Sequence, residues 1–77
     1  MLPLTMAGEG ADVMVARITG RDEVRRHLAE LGLVVGERVT VMNSLAGNLI
    51  LRVKESRIAL DKELCNRIFV NSQEAGQ

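Results

Sequence analysis

The sequence predicts a mainly β domain with one helix, its strands curled into a small barrel. Three observations carry this. Apolar residues recur at helical spacing in one stretch, between Gly20 and Gly32. Short runs on either side alternate polar and apolar residues, as half-buried strands do. The two periods meet at "LGLVVGERVTV", residues 31 to 41, where Gly32 and Gly36 punctuate the change.

The first ten residues hold Pro3, Gly8 and Gly10 and read as an irregular lead-in, with Leu2, Leu4 and Met6 tucked against the body. "ADVMVARI", residues 11–18, reads as a strand whose alternation slips by one place. A bulge near Ala16 or Arg17 would set Val13, Val15 and Ile18 on one side. In "GRDEVRRHLAELG" Asp22 is the expected N-cap, with Glu23 favoured by the helix dipole. Val24, Leu28 and Leu31 fall at i, i+4, i+7 and form one apolar stripe, which Gly32 ends as a left-handed stop.

Beyond Gly36, "ERVTVMN" places Val39 and Val41 on one face and Arg38, Thr40 and Met42 on the other. "LILRVK" turns Leu49, Leu51 and Val53 inward, and Ile50, Arg52 and Lys54 outward. The two runs form a hairpin with a longish loop, its tip at Gly47-Asn48. "ESR" is a second turn, "IAL" a short strand, and Asp61 caps one helical turn, "KELCNR", before a last strand, "IFV". About five strands, a helix after the first and a helical turn before the last give a small, partly open SH3-like barrel. An oligonucleotide-binding type of barrel competes, but its helix usually follows the third strand. Residues 1–72 make a single domain and residues 73–77 a polar tail.

Composition narrows the function. The 77 residues include a single cysteine, so stability has to come from aliphatic packing rather than an internal disulfide. One histidine and one cysteine give no zinc-type cluster. Ten basic and ten acidic residues cancel, which weighs against a nucleic-acid binder. Phe69 is the one aromatic, so neither a base-stacking platform nor an aromatic groove for proline-rich peptides can be built. No apolar run approaches the ~18 residues that span a bilayer. A lone thiol and no secretory signal predict a cytoplasmic setting, with membrane association only through a partner.

The succession "PLTMAGEGADV", "RITG", "RRHLAELGLVVGERVTV", "AGN" and "RIALDKELCNRIFV" resembles the FeoA family over roughly residues 2 to 70. These are small cytosolic partners of the bacterial ferrous iron transporter FeoB. The resemblance implies an SH3-like fold, no enzymatic activity, no cofactor and a supporting role in Fe(II) uptake. The implied partner is the membrane transporter, which carries a cytosolic GTP-binding domain. A similar domain ends some metal-dependent repressors, but this chain has no room for a winged helix and reads as the free-standing form. It departs from the family pattern at His27 and Asp61, where many members have arginine, and at "GNL", where many have Gly-Asp-Pro.

The expected partner-binding residues are Met42, Leu45, Ile50 and Arg52 on the hairpin, with Leu33 and Val34 after the helix. Apolar side chains gathered on the outside of a small domain mark a partner surface. The plainer reading has Leu33, Val34 and Val35 covering the helix–sheet seam. Glu23, His27 and Glu30 share a helix stripe that could hold a divalent ion, but glutamates on a solvated rim fix no ligand geometry, and no metal site is expected. Cys65 reads as a small packed side chain. Arg21, Arg25 and Arg26 read as a charged helix face rather than an arginine finger for a partner's GTP. No nucleophile–base pair or phosphate-cradling glycine loop points to an enzyme. A barrel that binds nucleic acid, or a metal-responsive regulatory module, is the alternative.

Overall fold

The computed structural model describes residues 1–72. The expected tail, residues 73–77, lies outside the described residues. The elements are β1 (Leu2–Pro3), a 3-10 turn (Leu4–Met6), β2 (Asp12–Ile18), α1 (Asp22–Glu30), β3 (Arg38–Leu45), β4 (Asn48–Val53), β5 (Ser56–Asp61), α2 (Lys62–Cys65) and β6 (Ile68–Ser72). The strands form one antiparallel sheet in the order β1-β6-β2-β3-β4-β5. The fold is a small SH3-like barrel with one main helix, as expected.

Six strands form, where the sequence reading counted about five. The extra one is β1, whose Leu2 and Pro3 pair with Val70 and Phe69 at the far end of the chain. Proline is tolerated there because β1 is an edge. Of the three lead-in side chains, Leu4 is fully buried and Leu2 packs on the core, but Met6 is 70% exposed. The 3-10 turn rotates Met6 away from the side that Leu4 occupies.

Two bulges curl the sheet. One falls between Val15 and Arg17, where it was expected, and lets Val13, Val15 and Ile18 all meet the core. The other falls between Val41 and Asn43, so Met42 is the extra residue of β3. Between these bends Val39, Val41, Leu49, Leu51 and Val53 line an aliphatic interior with Leu4, Leu28 and Val70. No polar or charged side chain is buried among the described residues. The interior therefore carries none of the desolvation cost of a buried polar group.

Helix α1 seats its Val24, Leu28 and Leu31 stripe on this interior. Its N-cap is Arg21, in extended conformation with no side-chain cap bond, and not Asp22. Asp22 is already helical, and its carboxylate pairs with Arg25 instead. The C-terminus closes as a Schellman motif. Gly32, at φ +91°, donates to Ala29 O at 2.9 Å, and Leu33 donates to Leu28 O at 2.9 Å. Just past that closure Leu33 is fully buried, in the same core as Leu28.

The β3–β4 hairpin is tighter than expected. Leu45 pairs with Asn48, so the loop is Ala46-Gly47 rather than a longer one turning at Gly47-Asn48. Both loop residues have positive φ, +53° and +83°, as a type I′ turn requires to match the strand twist. Strand β5 spans six residues, double the expected "IAL", because the preceding turn is only Lys54-Glu55. Asp61 caps α2 as read from the sequence, accepting from Leu64 N at 2.8 Å.

Candidate partner-binding site

The outer side of the β3–β4–β5 sheet is built by the same alternation that builds the core. With Val39, Val41, Leu51 and Val53 pointing in, Arg38, Thr40, Arg52 and Ile50 must point out. Register then aligns one row across four strands. Asp12 stands opposite Thr40, Thr40 opposite Arg52, and Arg52 opposite Arg57. Thr40 Oγ1 donates to Asp12 Oδ1 at 2.6 Å. Beside the row, Lys54 Nζ lies 3.6 Å from Glu37 Oε1. Asp12, Glu37, Arg38, Thr40, Arg52 and Lys54 line an open groove of about 400 Å³.

The next step along the strands is less polar. Asn43 stands opposite Ile50, and Ile50 opposite Ala59. Beyond it comes the tip, where Leu45 is 63% exposed. Met42 and Ile50 are half-buried, and Arg52 is exposed. Met42, Leu45, Ile50 and Arg52 therefore fall on one hairpin, running from the tip to the charged row.

The other two expected partner residues do not join them. Leu33 is fully buried, which corrects its placement on a partner surface: the Schellman closure uses it to seal the helix–sheet seam. Val34 is 42% exposed, and its neighbour Val35 also faces out. Their loop is latched to β2 by Gly36 N to Val15 O at 2.8 Å and Val15 N to Glu37 O at 2.9 Å. It leads into the start of β3, whereas Leu45 ends that strand, roughly 20 Å away at the usual strand rise. Arg57 was read only as part of a turn, and Arg38, placed on the outer face, was not counted among the partner residues. Each stands one residue off an inward-facing partner, which is the signal that could have found them.

The helix candidates stay apart from this surface. Glu23, His27 and Glu30 are exposed, and among the described residues no three His, Cys, Asp or Glu side chains converge as metal ligands. Arg25 is committed to Gly20 O, at 2.8 Å, and to Asp22. Cys65 is fully buried, and its Sγ donates to Leu60 O at 3.5 Å. Burial, and then the nearby Asp61 carboxylate, push its pKa up to about 11, so the thiol is protonated and unreactive at neutral pH. No helix among the described residues is long and apolar enough to cross a membrane.

Three comparisons place this geometry among known proteins. A protein of Methanocaldococcus jannaschii, named for Fe(2+) transport as transport protein A, is 32% identical over 99% of this chain and 93% of its own. The crystal structure of an iron uptake regulatory protein, FeoA, is 33% identical and superposes with a TM-score of 0.85, covering 91% of this chain and 93% of that one. ScaR, solved with bound Zn2+, is 24% identical with a TM-score of 0.84; it covers 94% of this chain but only 37% of its own, and that likeness shows the fold alone. Residues 2–72 match the FeoA domain across nearly the whole described structure, and the chain belongs to the FeoA family.

Proposed function

We propose that the chain is a non-catalytic adaptor of ferrous iron uptake that works in the cytoplasm by docking on the cytosolic part of an FeoB-like membrane transporter. The FeoA family, and relatives named for Fe(2+) transport and iron uptake, support the process. One observation supports docking by the hairpin: Leu45 is held out into solvent on a two-residue turn, with Ile50 and Arg52 behind it on the same hairpin. A large apolar side chain costs free energy in water and gains it in a partner's pocket. Val34 belongs to this surface only if the partner reaches both ends of β3. An adaptor of this kind acts by preferring one conformation of its partner, since equal affinity for all conformations shifts nothing.

The test is a titration of the isotope-labelled domain with the transporter's soluble GTP-binding domain, with and without a GTP analogue. Resonances of Leu45, Ala46 and Ile50 should move, and Leu45→Glu should weaken binding about tenfold while leaving the fold intact. Binding that ignores both Leu45→Glu and Ile50→Glu would remove the hairpin from the interface.

A further inference from the structure

Two features of the sheet meet at the outer edge of β5. The first is the strand itself. It ends the sheet, with β4 as its neighbour. The two-residue turn makes Val53 and Ser56 a hydrogen-bonded pair, and the pairing runs without a slip to Asp61. Alternation then turns the backbone N–H and C=O groups of Arg57 and Ala59 away from β4. No other backbone bond reaches either residue among the described residues, and both are exposed. Sheets blunt such an edge with proline, a bulge or charged side chains; β5 has no proline and no bulge, and is guarded only by charge, at Arg57 and Asp61.

The second feature is the charge beside that edge. Arg52 and Arg57 stand directly opposite each other, and Arg38 lies diagonal to Arg52 across β3. Like charges so placed repel. None of the three makes an ion pair or side-chain hydrogen bond among the described residues. The two acids of the groove are engaged elsewhere, Asp12 by Thr40 and Glu37 by Lys54, and neither pairs with these arginines. The row that starts with the Asp12–Thr40 bond ends in an uncompensated cation at an open edge.

We infer that β5 accepts an additional strand: an extended, acidic segment of a partner protein, with a carboxylate opposite Arg57. The exposed backbone groups supply main-chain bonds, and the arginines select for acidic side chains. A second copy of this chain fits less well, because the acid on its β5, Asp61, already caps α2. The inference rests on the reading of the chain as a docking module, but not on the identity of its partner.

The probe is a short capped peptide alternating Glu and Thr, with a Lys/Thr peptide as control, added to the labelled domain. The Glu/Thr peptide should shift β5 resonances and slow amide exchange at Arg57 and Ala59; the Lys/Thr peptide should do neither. Arg57→Glu should weaken that binding about five- to tenfold, while Arg17→Glu, on β2, should not. Equal binding of the two peptides, no shift at millimolar peptide, or β5 protection that rises with protein concentration alone would overturn the inference, the last by making a second copy the occupant. The two readings fail separately. If the GTP-binding domain moves the hairpin tip while β5 and the acidic peptide stay silent, docking stands and strand addition falls. If the peptide adds to β5 while the GTP-binding domain changes nothing, the reverse holds.

Discussion

The two faces of β4 are determined by different physics. Leu49, Leu51 and Val53 enter an interior in which no described side chain is polar, and what matters there is volume. Ile50 and Arg52, interleaved with them, lie on a surface where the neighbours come from other strands and the interactions are charge and exposure. Adjacent residues of one strand should therefore differ sharply when cut back. Leu51→Ala leaves a cavity in a fully buried site and should cost about 3 kcal/mol in urea unfolding. Arg52→Ala should change stability by less than about 0.5 kcal/mol, and it relieves the repulsion from Arg57. Comparable losses at the two positions would mean that the charged row also holds the barrel together.

The interior holds one titratable side chain, Cys65, and pH separates it from the surface. Its pKa rises from 9.0 to about 11 because the folded state keeps the thiol out of water. The folded state thus binds its proton more tightly than the unfolded chain does. The stability this gives is complete below pH 9, and is lost as pH rises toward 11. The loss should be about 2 to 3 kcal/mol. The sequence has no tyrosine, so few other groups titrate in that window. Cys65→Ala should flatten the decline; a decline unchanged by the substitution would remove Cys65 as its cause.

Much of the inner face was legible in the sequence. The Val24, Leu28 and Leu31 stripe, the slip near Ala16, and the inward Leu49, Leu51 and Val53 all follow from local periodicity. The Asp61 cap was legible too, because it needs only its own turn. The outward residues of β3 and β4 were legible strand by strand, but their alignment across strands was not. The row of Asp12, Thr40, Arg52 and Arg57 exists only once four strands are in register, and no local signal reports that. Strand β1 was missed for the same reason, since two residues pair with a strand more than sixty positions away. Leu33 was misplaced because a hydrophobic residue after a helix-ending glycine can cover the seam or leave it, and the Leu33–Leu28 bond decides.

That closure carries a smaller prediction. A Cβ on Gly32 would meet Val53 Cγ1 at 3.2 Å, at a φ of +91°. Gly32→Ala should therefore cost about 1 to 2 kcal/mol from backbone strain, with some crowding added. At Gly36, φ is +95° and nothing lies within 4 Å, so Gly36→Ala meets the strain alone and should cost less. Equal effects in thermal unfolding would mean that Val53 yields freely, and that the seam is packed more loosely than the rest of the interior.

The smallest effect belongs to the hairpin tip, where the outer face departs from what stability alone would choose. Ala46 sits at φ +53°, which a residue with a Cβ adopts only at a cost. Asparagine tolerates that conformation, and Asn-Gly is the preferred pair for this turn. Ala46→Asn should therefore raise stability by about 0.5 to 1 kcal/mol. Its value lies in the second measurement. Leu45 precedes the turn and keeps its place if only the turn is improved. A variant that is more stable but binds the transporter's GTP-binding domain no more weakly makes Ala46 a tolerated local misfit. A variant that gains stability and loses binding makes the small methyl side chain part of the contact, and extends the docking surface from Leu45 across the tip.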